Sequence, residues 1–93
     1  MIGVAWFDPA QWQRLRLVVA DPSEIEDTFA EWERNAMGAV HTLERQGQEV
    51  ARVHVDLEAL VAWCKGRGVP VNGKARAEYA AFLLQQRQGD QGP

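Results

Sequence analysis

Val50-Ala51-Arg52-Val53-His54-Val55-Asp56-Leu57 is the stretch on which the fold turns. Its alternation has the period of a half-buried strand, with Val53, Val55 and Leu57 on one face and Arg52, His54 and Asp56 on the other. The segments around it are written in helical periods, so the chain reads as mainly α with one short strand, at 49–55. A lone strand leaves a row of backbone N–H and C=O groups unpaired. The expected partner is the same strand of a second copy, with Val50, Val53 and Val55 forming the seam of a homodimer. The alternative is internal: residues 2–6 form a short strand and lie beside residues 50–55.

Two helix starts share one local code. Asp8-Pro9-Ala10-Gln11 and Asp21-Pro22-Ser23-Glu24 each place Asp as N-cap, Pro at the first helical position and Gln or Glu at the third. Helix one is expected over 9–20, burying Trp12, Leu15 and Val19, with Phe7 and Trp12 as a hydrophobic staple. Helix two is expected over 22–46, because Ile25, Phe29, Trp32, Ala36, Val40 and Leu43 recur at spacings of three and four until Gly47. At about 1.5 Å per residue such a helix is ~38 Å long, more than a chain of this size needs for its own core. Either it packs on another chain or it breaks near Gly38; the continuous helix at a dimer interface is the preferred reading. Asp56 caps helix three, 56–66, whose stripe is Leu57, Leu60, Val61 and Cys64 with Trp63 beside it. Asn72 caps helix four, 73–87, with Ala75, Tyr79, Phe82 and Leu83 inside. Residues 1–86 are expected to form one α-rich domain, and the Gln, Gly, Asp and Pro of 87–93 a disordered tail.

The chain has 93 residues, 46% of them apolar, with four tryptophans and one cysteine. That suffices for one small core, and no intrachain disulfide can form, so extra stability is expected from association and the setting is expected to be cytoplasmic. Neither a basic leader nor an apolar run long enough to cross a bilayer is read in the sequence, so no membrane role is expected. Net charge is −3, and residues 1–47 hold four Arg against eight Asp and Glu. An acidic first half argues against a basic stripe for nucleic acid.

Gly68-Val69-Pro70-Val71-Asn72-Gly73-Lys74 matches the spacing of a phosphate-binding loop. Ala75 stands where that loop needs a hydroxyl, Pro70 removes a backbone donor, and a helix precedes it, so a helix-to-helix connection is the better reading. His41, His54, Asp56 and Cys64 are of metal-ligand type but lack the close spacings of structural zinc sites. Ser23, Thr28 and Thr42 read as caps and helix surface, and no nucleophile, base and orienting acid assemble from neighbouring positions. No catalytic, cofactor or metal site is expected. Glu24, Asp27, Glu31, Glu33 and Glu44 read mainly as a solvated face, with Trp6 and Glu31 as candidates for a surface that meets an unidentified protein.

Arg52 to Leu57, the following helix, Gly68 to Asn72 and helix four resemble the ribbon-helix-helix DNA-binding fold over about 35 residues. That resemblance implies paired strands from two chains entering the major groove, and a helix N-terminus holding a phosphate. It would direct Arg52 and His54 to bases and Lys74 and Arg76 to phosphates. Asp56 beside the phosphates and the acidic balance place a transcriptional regulator second, behind a non-enzymatic interaction protein. The whole chain also resembles small bacterial proteins of uncharacterised function that share a Trp-rich first helix, a Glu-Trp pair (Glu31-Trp32), a Val-x-Val-Asp strand (Val53 to Asp56) and a Trp-Cys pair (Trp63-Cys64). That resemblance implies no activity.

Overall fold

The pairing problem posed by Val50 to Val55 is solved inside the chain. In the computed structural model, which describes residues 1–90, Ile2–Trp6 forms β1 and Val50–His54 forms β2. They run parallel, with Ile2 opposite Val50, Val4 opposite Arg52 and Trp6 opposite His54. The bonding continues past the strand ends, where Ile2 N–H donates to Glu49 O at 2.8 Å and Val55 N–H to Trp6 O at 2.9 Å. The internal alternative, residues 2–6 beside residues 50–55, is the pairing observed, and the preferred premise of a strand without a partner in its own chain is corrected. Ile2-Gly3-Val4-Ala5-Trp6 contains no polar residue, so it shows no alternation by which to recognise it.

Parallel strands cannot be joined by a tight turn. The crossover is α1 (Pro9–Val18), a single 3₁₀ turn (Pro22–Glu24) and α2 (Phe29–Arg45); α3 (Leu57–Arg67) and α4 (Gly73–Asp90) follow β2. Side-chain caps open all four helices. Asp8 accepts from Gln11 N–H at 2.7 Å, Thr28 from Glu31 N–H at 3.1 Å, Asp56 from Ala59 N–H at 3.0 Å and Asn72 from Ala75 N–H at 2.9 Å.

Asp21 is the exception, and it corrects the long second helix. Its side chain caps nothing locally, because Oδ2 accepts from Gly73 N–H at 3.0 Å and Oδ1 from Arg76 at 3.1 Å. Without that cap the helix lasts one 3₁₀ turn, Ile25 returns to extended backbone, and α2 starts afresh after Thr28. The expected 22–46 helix is thus a 17-residue α2, unbroken at Gly38. Its length, about 26 Å at ~1.5 Å per residue, no longer calls for a second chain. Helix one stops at Val18 rather than Ala20, whose N–H donates to Val71 O. α3 closes on Gly68 at φ 67°, the left-handed conformation that glycine adopts without penalty. α4 runs to Asp90, so residues 87–90 of the expected tail are helical, and 91–93 lie outside the described residues.

Pleating sends Gly3, Ala5, Ala51 and Val53 to one face of the sheet and Val4, Trp6, Arg52 and His54 to the other. α4 covers the first face with Ala80 and Leu84 against Val53. It comes so near that a Cβ on Gly3 would lie 3.2 Å from Ala80 O. On the opposite face Trp6 meets Trp32 of α2 at 5.1 Å between ring centroids. Trp12, Leu15, Val55, Leu60, Cys64 and Tyr79 form the main core. Val53 and Val55, read from sequence as dimer seam, are buried within their own chain.

Gly3→Val should therefore overpack the α4–β1 contact and lower stability by roughly 1–3 kcal/mol. Gly38→Ala, in open space on α2, should raise it by up to about 1 kcal/mol. Urea unfolding followed by tryptophan fluorescence checks both signs.

Candidate interaction surfaces

The parallel ladder gives every main-chain group a direction. Ile2, Val4 and Trp6 turn both N–H and C=O toward β2, and Ala51 and Val53 answer them. Gly3 and Ala5 consequently aim theirs at the free edge of β1, and Val50, Arg52 and His54 at the free edge of β2. No turn, loop or cap hydrogen bond among the described residues reaches these groups.

The two edges differ in surroundings. Arg52 and His54 are exposed on β2, with the Arg52 guanidinium 4.6 Å from the centroid of the Trp6 ring. β1 carries no charge, and its edge lines a cavity of ≈ 360 Å³ walled by Trp32 of α2 and by Gly73, Arg76 and Ala77 of α4. A second apolar recess, ≈ 350 Å³, lies between α1 and α3 over Leu57 and Val61, with Leu17 (85% exposed) at its rim and the Arg14–Glu58 ion pair beside it. Leu17 and Val18 fall off the Trp12–Leu15 stripe, and sequence reasoning did not single them out.

Of the residues that the ribbon-helix-helix resemblance directs to DNA, Arg52 and His54 lie exposed on β2, which pairs along one edge with β1 of the same chain, and Lys74 and Arg76 lie in the first turn of α4. At the start of α4, Asn72 N–H donates to Pro70 O, Gly73 N–H to Asp21 and Ala75 N–H to Asn72. Arg76, its side chain 14% exposed, is held by Asp21, so it does not reach outward. Lys74 is exposed and lies 3.9 Å from Glu78. A carboxylate of the chain itself thus occupies the anion position at this helix end.

The two candidates for a partner surface also separate. Trp6 is 7% exposed and cannot serve as a surface anchor. Glu31 is exposed and accepts from the Thr28 hydroxyl at 3.3 Å, completing the exchange at the start of α2. Burial pushes the Cys64 thiol up, aided by Glu78 and opposed by Arg67, so it stays protonated and packs as a small apolar group. Among the described residues no group of three or more His, Cys, Asp or Glu could hold a metal, and no helix is long and apolar enough to cross a membrane. No family model, curated protein or solved structure matches the chain.

Sequence reasoning missed Asp21 as a tertiary contact and Gly3 and Ala5 as an edge. A signal for the edge was present in the uncharged run Met1 to Phe7. Asp21 carried no such signal, since its local code is that of an ordinary cap.

Burial alone would raise the Asp21 carboxyl, but the hydrogen bonds from Arg76 and Gly73 together with the guanidinium charge outweigh it and hold the group below the usual carboxylate range. The stabilisation this implies is complete above the unfolded carboxyl value and is lost as pH falls through the depressed folded value. Asp21→Ala should cost roughly 1–3 kcal/mol at neutral pH, and the gap from wild type should shrink in strong acid. Paired urea titrations at the two pH values measure it.

Proposed function

We propose that this chain is a small non-enzymatic interaction protein of the cytoplasm that self-associates through the free edge of β2. The observation that carries the reading is the row of main-chain groups on Val50, Arg52 and His54, directed away from β1 and without a partner among the turns, loops and caps. A strand edge of this kind is a template for another strand. A two-fold axis perpendicular to the sheet, between the two edges, joins β2 to β2 in antiparallel fashion and turns two short sheets into one of four strands.

Register is constrained by charge. Placing Arg52 opposite its own mate sets two guanidinium groups side by side, which is unfavourable. Sliding by two residues sets Val50 opposite Arg52 and leaves each guanidinium over its own Trp6. The inward valines no longer drive the association, since they are buried without it; main-chain bonding and the half-buried Val50 do. The absence of an enzymatic role in this reading follows from what the polar side chains do. Asp8, Thr28, Asp56 and Asn72 close helix ends, and Asp21 is committed to Arg76 and Gly73. The buried thiol of Cys64 suits a reducing compartment.

Sedimentation equilibrium at micromolar concentration should give about twice the 10.4 kDa chain mass. Arg52→Pro deletes an N–H that points away from β1, as proline is tolerated on strand edges, and should yield a folded monomer. A wild-type monomer under these conditions would overturn the reading.

A further inference from the structure

We propose that the free edge of β1 is a docking slot for an extended, uncharged segment of a partner protein, which adds to the sheet as a further strand. The main-chain groups of Gly3 and Ala5 aim into the cavity at this edge and lack hydrogen-bond partners among the turns, loops and caps. Only extended backbone can answer such a row, because a helix has already used its own N–H and C=O groups.

The walls narrow the choice of occupant. α4 lies on one face of the sheet and reaches past the edge with Arg76 and Ala77, while Trp32 of α2 stands against the other face. The slot between them admits a bare strand. A second copy of this chain brings its own α4 on the same face of the extended sheet, where it would meet the first α4. Charge narrows it further. Met1 to Phe7 contains no charged residue, and the one charged side chain in the wall, Arg76, is already neutralised by Asp21. An acidic or basic segment would be desolvated with nothing to balance it. Side chains of an added strand alternate between the walls. Apolar ones suit the Phe7–Trp32 side, whose rings lie 5.9 Å apart, and small ones suit the Ala77 side.

An unprotected edge is a hazard in a soluble protein, and natural sheets blunt such edges with charge, proline or a covering element. β2 carries Arg52 and His54 on its edge, whereas β1 carries no such protection and instead borders the cavity beside α4. An uncharged edge bordered by Trp32 on one side and by Arg76 and Ala77 on the other suits a single uncharged chain. The proposal uses the edge opposite to that of self-association, so either can fail alone.

The test is an NMR titration of the full chain with an end-capped peptide of alternating Val and Thr. Saturable binding should shift the Gly3 and Ala5 amides and slow their exchange with solvent. Ala5→Pro deletes a donor that the β1–β2 ladder does not use, so it should weaken binding about tenfold or more while sedimentation and the unfolding midpoint stay as in wild type. A probe peptide N-methylated at alternate residues should likewise fail to bind wild type, a readout that leaves the protein untouched. No saturable binding at millimolar peptide would overturn the proposal. So would shifts confined to Leu17, Val18 and Val61, undiminished binding of the N-methylated peptide, or protection of Gly3 and Ala5 by self-association without peptide. Arg52→Pro should abolish self-association and leave peptide binding intact, which separates the two readings.

Discussion

Everything in this chain is arranged around a parallel pairing of two five-residue strands that lie 48 positions apart in sequence. Parallel strands need a crossover, and here it consumes the first half of the chain. α1 and α2 are the means by which the backbone leaves the end of β1 and returns to the start of β2. Because the ladder uses alternate residues, it also decides which main-chain groups remain for other molecules: those of Gly3 and Ala5 on one side, and of Val50, Arg52 and His54 on the other. The same pleat sets small residues under α4, where Gly3 lets the helix backbone approach the strand, and places Trp6 against Trp32.

A second constraint is the contact of Asp21 with Gly73 and Arg76, across 52 and 55 positions. It ties the middle of the crossover to the start of the last helix. By taking the aspartate away from its local role it ends a helix after one turn, and Ile25 and Phe29 turn toward the core instead of continuing outward. It also fills the positive end of α4 with an anion from within. The cost of burying polar groups is visible elsewhere too, since the buried Trp12 Nε1–H finds no acceptor among the described residues.

The functional reading follows from these two constraints. Asp8, Thr28, Asp56 and Asn72 close helix ends and Asp21 holds Gly73 and Arg76, while both strand edges keep main-chain groups that other backbone can recognise. The edges differ in protection: one is exposed and carries Arg52 and His54, the other carries no charge and borders the cavity beside α4. On that difference rest the two proposals, association with a like chain at one edge and capture of an extended one at the other.

Much of the architecture is legible in the sequence because it rests on local physics. Caps at Asp8, Asp56 and Asn72 are short-range hydrogen bonds between residues three apart, and the stripes Trp12–Leu15, Leu57–Leu60–Cys64 and Ala75–Tyr79 are the helical period itself. The Val50 to Val55 strand is equally local, since alternation needs only its own residues. Three features were beyond that reach. β1 is apolar throughout and gives no period, so the sequence offered residues 2–6 only as the alternative partner of the strand, and the hydrogen bonds to β2 decide it. The ends of α2 depend on where Asp21 points, and its neighbours in sequence do not fix that. Which valines are buried by this chain, and which groups are left for another, is set by the pairing of Ile2 with Val50 and its successors. Sequence alone determined the caps and stripes of α1, α3 and α4, the Val50 to Val55 strand and the acidic balance of the chain. Tertiary structure decided that residues 2–6 pair with the strand, that Asp21 meets the start of α4, and where the free edges lie, because each of these depends on contacts between residues remote in sequence.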